Sequence, residues 1–301
     1  MTKFARKRKN KKRHNVFRAL FIMVMIMCLM VLFVNAFQYF IMASPDMDID
    51  IDIDEVALIF YPLSTVTLEQ YTEEIFESEP KPEPELTIAE QRLLEIDPDL
   101  PMVALTFDDG PVGRTSQILD ILEQYNVVAT FYVIGEQIER HRDIVLRAHN
   151  MGSEIANHTW SHRSLDRISD EDIFAQLYYT NVAIEAVIGV PSASMRAPFG
   201  RVNDNIRNIS GELGLPIVLW SIDPSDYLNR SPSRIYNDIM SEVQDRDIIL
   251  LHDVHQRSVY ATRYLVPSLI NSGFQLVTVS ELMYFSNITP EPGNIYRHGR
   301  P

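Results

Sequence analysis

From Met102 onward, seven short, apolar, β-prone runs alternate with seven helical patterns. The strand runs are 102–107, 129–134, 154–156, 194–197, 217–222, 247–251 and 275–277. The helical patterns between and after them are 115–125, 136–150, 170–188, 203–211, 233–243, 260–271 and 280–284. Strands that alternate one-for-one with helices cannot form hairpins; they pair in parallel, with the helices covering the sheet. Seven such units predict an α/β fold, either an open sheet or an incomplete (β/α)7 barrel. Local signals support the spacing. Ser169 followed by Asp170, Glu171 and Asp172 is an N-cap with acids in the first turn, and Ser231-Pro232 is a second start signal. Gly152 and Gly189 stand just past helical patterns, where a left-handed residue ends a helix.

Charge divides the chain differently. Residues 1–45 carry nine Lys or Arg and no acid, and residues 46–100 carry seventeen acids against Lys81 and Arg92. The basic run "KFARKRKNKKRH" leads directly into an apolar stretch from Ala19 that continues to Ala43. About 20 helical residues cross the roughly 30 Å hydrocarbon core of a bilayer. The basic flank places that end in the cytoplasm. The expectation is a cytoplasmic tail (1–15), a transmembrane signal-anchor (16–43), an acidic, Pro-containing extracellular linker (44–100), a catalytic domain (101–285) and a C-terminal tail (286–301). The rival is a cleaved signal peptide ending near Ala36, but the apolar run exceeds the roughly 7–15 residues of a signal h-region. In the linker, "EPKPEPE" is too polar to fold and reads as a stiff spacer. Cys28, the one cysteine, lies in the apolar run, so the outward part has no disulfide. The basic cluster lies outside the globular part, which argues against nucleic acid as a partner. The expected location is the cell membrane of a bacterium, with a Gram-positive cell wall outside it.

The polar motifs fall where the predicted strands end, which is where a parallel β/α fold gathers its functional groups. "TFDDG" brings Asp108 and Asp109; alone, Asp-Asp-Gly-Pro is good turn chemistry. "NHTWSH" brings His158 and His162, four apart, a spacing that lets both rings face the same way on a helical turn. "SMRAPFG" brings Arg196 at the end of an apolar run, so that it points inward. "LWSIDPSDY" brings Asp223 and Asp226, and "DIILLHDVH" delivers His252 at a strand end. Asp253 and His255 read as loop and packing residues.

Together these residues make chemical sense. Two histidines and one carboxylate leave positions open on a metal ion, as a catalytic site needs. The second carboxylate can then take a proton from water that the metal activates, and the cation offsets the repulsion between the two acids. A guanidinium at Arg196 would pair with Asp108 and orient it. Asp226 could orient His252 and raise its pKa to that of a useful acid.

The order and spacing of "TFDDG", "HTWSH", "RAPFG", "DPSDY" and "LLHD" resemble the polysaccharide deacetylase (NodB-homology) domain, carbohydrate esterase family four, over roughly residues 102–282. The resemblance implies a distorted (β/α) barrel and metal-dependent removal of acetyl groups from a glycan. Carried over by position, it implies Asp108 as general base and Asp109, His158 and His162 as metal ligands. Arg196 would position Asp108, and His252 would be the general acid, partnered by Asp226. The Phe199 N–H would help bind the oxyanion, and Leu250 would pack by the acetyl methyl group. Phe199 stands where the family often has Tyr, and Tyr227 where it often has Trp. The second change is expected to reshape the acetyl pocket or the wall beside His252. The expected cofactor is a divalent metal, zinc first, with cobalt or another divalent ion open. The expected partner is an acetylated glycan, peptidoglycan or a chitin-like oligomer, with peptidoglycan N-acetylglucosamine leading. An O-acetyl esterase acting on a polysaccharide such as xylan and an inactive wall-binding module are the alternatives.

Overall fold

A computed structural model describes residues 87–300 of the chain. The predicted anchor (16–43) and most of the acidic linker lie outside the described residues. No helix among the described residues is long and apolar enough to cross a membrane.

Seven strands lie among the described residues: β1 (Met102–Asp108), β2 (Thr130–Val133), β3 (Glu154–Asn157), β4 (Ile217–Val218), β5 (Asp247–His252), β6 (Gln275–Val277) and β7 (Ile295–Tyr296). The main sheet runs β3-β2-β1-β5, all parallel. β6 pairs with the first half of β1 and β2 with the second half. Single parallel bridges continue the circuit, from Asn157 to Met195, from Met195 to Ile217, and from Ile222 back to Ile249 of β5. The α/β parallel sheet predicted from the alternation is therefore present.

Two of the seven expected strands are barely strands. Residues 194–197 pair at Met195 alone, and 217–222 shrinks to β4 plus the Ile222 bridge. The segment still bonds both neighbours. On the β4 side, Met195 N–H donates to the Pro216 carbonyl and the Met195 carbonyl accepts from Val218 N–H; on the β3 side, Asn157 N–H donates to the Ser194 carbonyl and Arg196 N–H to the Asn157 carbonyl. Pro198 then has no N–H to donate, and Phe199 turns left-handed (φ 62°), so the ladder stops.

The helices follow the sequence more closely. α1 (Ile88–Glu95) precedes the strands. α2 (Gly113–Gln124), α3 (Gly135–Ile138), α4 (Arg142–Asn150), α5 (Asp170–Ile188), α6 (Asp204–Glu212), α7 (Pro232–Glu242), α8 (Gln256–Asn271) and α9 (Val279–Phe285) follow. The pattern at 136–150 is broken by a 3-10 turn, Glu139–His141, into α3 and α4.

The domain limits expected at 101 and 285 leave out two pieces that the structure ties in. α1 lies within the expected linker. Thr87 and Glu90 form a capping box that starts it, and Arg92 makes a two-pronged ion pair with Glu281 of α9 at 2.7 and 3.1 Å. At the other end, β7 pairs with β4, and Arg300 reaches Asp247 at 2.7 Å. Their partners are almost 190 and about 50–80 residues away in the chain, so no local pattern announces either contact.

Period-two alternation sorts the strand residues. Val103, Leu105 and Phe107 of β1, with Ile249 and Leu251 of β5, pack outward against α2 and α8. Met102 and Ala104, with Ile248, join the inner cluster with Val277 and Leu282. Continuing that inner face, the next residues are Thr106, Asp108, Leu250 and His252. Apolar at the bottom and polar at the top, the same face becomes the site.

Candidate active site

Asp108 and His252 are register partners across β1 and β5, as are Thr106 and Leu250. Parallel strands lie about 4.8 Å apart, and equivalent residues point to the same side. The register alone brings the first and fifth motifs together.

Arg196 is fully buried and is satisfied almost completely. Its Nη1 donates to Asp108 Oδ1 and to Thr106 Oγ1, both at 2.7 Å, while Nε and Nη2 donate to the Val218 and Leu219 carbonyls, each at 3.0 Å. The guanidinium also lies 3.9 Å from the Tyr132 ring centroid. A buried cation needs this much compensation. The bonds fix the guanidinium, and it in turn fixes one oxygen of Asp108. Arg196 points inward, as its place in the sequence predicts.

Asp109 turns the other way because its backbone is left-handed (φ 76°). Its Oδ1 lies 3.2 Å from His162 Nε2 and 3.4 Å from His158 Nε2. His158 Nδ1 is 2.8 Å from the Arg196 carbonyl. A carbonyl can only accept, so Nδ1 carries the proton and Nε2 presents a lone pair. Asp109 Oδ1 is buried and has no hydrogen-bond partner. Burial by itself would raise the Asp109 pKa. The neighbouring imidazoles, His158 first and then His162 and His252, outweigh burial and lower it to about 2. The His162 pKa is lowered, first by burial and then by the charge of His158, which favours the neutral ring a metal needs. One lone-pair atom from each of the three residues lies within 4.8 Å of the other two. Three donors converging around an orphaned carboxylate oxygen fit a divalent cation.

The spacing of the two histidines carries a correction. "HTWSH" is not a helical turn but an irregular loop in which Thr159 (φ 67°) and His162 (φ 54°) are both left-handed. Asn157 Oδ1 accepts the Thr159 N–H at 2.8 Å, and Thr159 Oγ1 accepts the His162 N–H at 3.1 Å. These bonds, not a helix, turn both rings to Asp109. Positive φ at a β-branched residue is rare and gathers at functional sites. Phe199 and Ser225, in two more of the motifs, share it.

On the other side, His252 Nδ1 meets Asp226 Oδ1 at 2.6 Å, and the His252 N–H donates to Asp226 Oδ2 at 2.8 Å. Asp226 is fully buried, and Ser258 Oγ donates to its Oδ2 at 2.5 Å. Burial of the imidazole would lower its pKa. The hydrogen bond and charge of Asp226, followed by the charges of Asp108 and Asp109, raise it to about 9. The pairing predicted between these residues is present. Asp223, from the same motif, instead accepts the Ser225 N–H at 2.7 Å and shapes the turn.

Two exposed rings stand at the rim. Phe199 lies edge-on to His162 with centroids 4.9 Å apart, and Tyr227 edge-on to His252 at 5.6 Å. Leu250 is buried two residues before His252.

Asp253 is more than a loop residue. It is buried, its Oδ2 accepts from Thr115 Oγ1 at 2.6 Å, and its Oδ1 has no partner. Its N–H donates to the Asp108 carbonyl at 3.2 Å. Burial, with the charges of Asp109 and Asp108, raises its pKa to about 7 against the opposing Thr115 hydrogen bond. Thr106 and Ser258, which brace Arg196 and Asp226, gave no signal at all.

The family profile for polysaccharide deacetylases matches residues 95–218. A peptidoglycan-N-acetylglucosamine deacetylase of Bacillus cereus is 35% identical over 192 residues, covering 62% of this chain and 90% of that protein. The chain belongs to the polysaccharide deacetylase family. The peptidoglycan-N-acetylmuramic acid deacetylase PdaC of Bacillus subtilis is 36% identical over 188 residues, which are 62% of this chain but only 40% of PdaC. Against that relative, the chain spans about two fifths of its length. Among solved structures, a family 4 acetyl xylan esterase from Clostridium thermocellum in complex with a cobalt ion has a TM-score of 0.62 at 30% identity. The alignment covers 65% of this chain and 98% of that one.

Proposed function

We propose that this polysaccharide deacetylase removes acetyl groups from N-acetylated cell-wall glycan, with peptidoglycan N-acetylglucosamine as its substrate. The observation that carries the reading is the arrangement of three groups at one strand-end mouth. These are the Asp109–His158–His162 cluster, Asp108 held by Arg196, and His252 held by Asp226.

Asp109, His158 and His162 would hold a divalent metal, zinc or cobalt. When bound, it supplies the positive charge that polarises an acetyl carbonyl and acidifies water. Asp108 has one oxygen fixed by Arg196, and its Oδ2 lies 3.6 Å from His158 Nε2, on the cluster side. In this reading that oxygen is the base that accepts a proton from the attacking water. His252 stays protonated through neutral pH, and with Nδ1 committed to Asp226, its Nε2 proton goes to the leaving amine. The Phe199 N–H would add a donor for the oxyanion, a contribution of about 3–4 kcal/mol in comparable sites. Leu250 and Tyr227 would border the acetyl group. An anchor at residues 16–43 would hold the domain outside the cell membrane, facing the wall.

The test is acetate release from purified peptidoglycan and from N-acetylglucosamine oligomers by the Zn²⁺- or Co²⁺-loaded chain, with Asp108→Asn and His252→Ala as controls. No release from any of these by a folded, metal-loaded protein would overturn the reading. The likeness to an acetyl xylan esterase supports a second reading, O-deacetylation, and faster turnover of acetylated xylan than of the amide substrates would favour it.

A further inference from the structure

The outer side of α5 carries a run of aromatic rings that the proposed chemistry does not use. Ile173, Leu177, Thr180, Ile184 and Val187 form its buried face. Phe174, Tyr178 and Tyr179 are exposed, by 41%, 45% and 56%. Phe174 and Tyr178, four apart, stack at 5.5 Å with their planes 13° from parallel. Tyr178 meets Tyr179 edge-on at 5.6 Å, and Tyr179 meets Trp160 edge-on at 6.4 Å. Trp160 stands between His158 and His162. The four rings therefore form one continuous surface that starts in the loop carrying two of the three candidate metal ligands.

That surface is fixed relative to the site. Ser161 N–H donates to Gln176 Oε1 of α5 at 2.9 Å, and Gln176 Nε2 donates back to Ser161 Oγ at 3.0 Å. Asn157, just before His158, donates to the Leu177 carbonyl and to Asn181 Oδ1 of the same helix. Trp160 packs so closely over Gly135 that a Cβ there would lie 2.5 Å from the indole.

We propose that Trp160, Tyr179, Tyr178 and Phe174 form a platform on which a glycan strand lies next to the catalytic mouth. The inference rests on the reading of the protein as a glycan deacetylase. Contiguous exposed apolar surface marks an interaction site. Its chemistry selects the occupant. α5 contains no Lys or Arg, so it lacks the positive charge with which a protein holds nucleic acid or an anionic lipid surface. Tyr and Trp present a flat apolar face with a polar edge. A pyranose ring offers the complement, a C–H face rimmed by hydroxyls. Continuity through Trp160 places the platform beside the site and not at a remote position.

The test is co-sedimentation of the full chain with peptidoglycan sacculi stripped of anionic wall polymers, in high salt to screen the basic N-terminal tail. The metal is chelated so that no turnover occurs. The triple variant Phe174→Ala/Tyr178→Ala/Tyr179→Ala is expected to bind at least about tenfold more weakly, a loss of about 1.4 kcal/mol. Tyr264→Ala, which removes an exposed ring on α8, is expected to bind like the wild type. Equal binding by the triple variant and the wild type overturns the platform. So does a triple variant whose only change is lost self-association or lost binding to neutral lipid vesicles. Because binding is read without catalysis, a chain that releases no acetate but loses binding in the triple variant overturns the deacetylase reading alone.

Discussion

Replacing Asp226 by Asn tests the proposed acid most directly. Asn is close in shape to Asp and keeps an oxygen for the Ser258 hydroxyl and the His252 N–H, so the fold is expected to survive. What goes is the charge facing His252 Nδ1 at 2.6 Å. The rise of the His252 pKa from 6.5 to about 9 corresponds to about 3 kcal/mol of preference for the imidazolium. Burial opposes that rise, so without Asp226 the ring is expected to titrate near or below 6.5. At pH 8 a group with a pKa of about 9 is about 90% protonated, and one at about 6.5 is about 3% protonated. A mechanism that needs the imidazolium then loses roughly 30-fold in rate at pH 8, and much less at pH 6. The assays are an NMR titration of His252 in the metal-free protein and acetate release against pH in the loaded enzyme. The stability sign follows from the same shift. A raised histidine pKa contributes its full stabilisation below pH 6.5 and loses it as the pH climbs through about 9. The wild type should therefore lose more stability over that interval than Asp226→Asn. A His252 titration midpoint that stays near 9 in the variant would refute the reasoning.

Three further outcomes follow from the site geometry. His162→Ala removes one of three ligands and should weaken divalent-metal binding by more than the about 100-fold typical of losing a supporting residue, measured by calorimetry or metal analysis of dialysed protein. Arg196→Met leaves Asp108 buried without its partner. It should cost about 3–5 kcal/mol, or roughly 10 °C in Tm, by differential scanning calorimetry. Gly110→Ala would set a Cβ 2.1 Å from Asp253 Oδ2. It should destabilise by about 1–3 kcal/mol in urea unfolding, and adding Asp253→Ala should recover part of that loss.

The platform, the acid pair and the metal cluster draw on different parts of the chain. The cluster needs the β1 end and the 158–162 loop, the acid pair needs β5 and the loop before α7, and the platform needs α5. Asn157 and Gln176 tie α5 to the histidine loop, so a change in one helix would be felt at two of the proposed ligands. That coupling is a reason to read every α5 variant by metal binding as well as by glycan binding.

Composition and periodicity by themselves determined the α/β class, the extent of helices such as α5, and the strand ends as the place for chemistry. These follow from local rules: period-two and period-3.6 burial, N-caps, and glycine after a helix. The five motifs also named Asp108, Asp109, His158, His162, Arg196, Asp226 and His252, because those side chains follow the apolar strand runs, at the ends where a parallel β/α fold gathers its functional groups. Tertiary structure decided how they meet. The β1–β5 register sets Asp108 opposite His252, and no local property of either segment encodes that alignment across 144 positions. The histidine spacing suggested a helical turn, yet side-chain bonds from Asn157 and Thr159 hold the loop in left-handed conformations that no propensity favours. The strand expected at 194–197 reduces to one bridging residue, Met195, because Pro198 and Phe199 turn the chain as soon as Arg196 has been delivered. Asp253, Thr106, Ser258 and the ends at α1 and β7 remained hidden for one reason. Each acts through a partner far away in the chain, and only folding creates the burial that gives such a contact its energy.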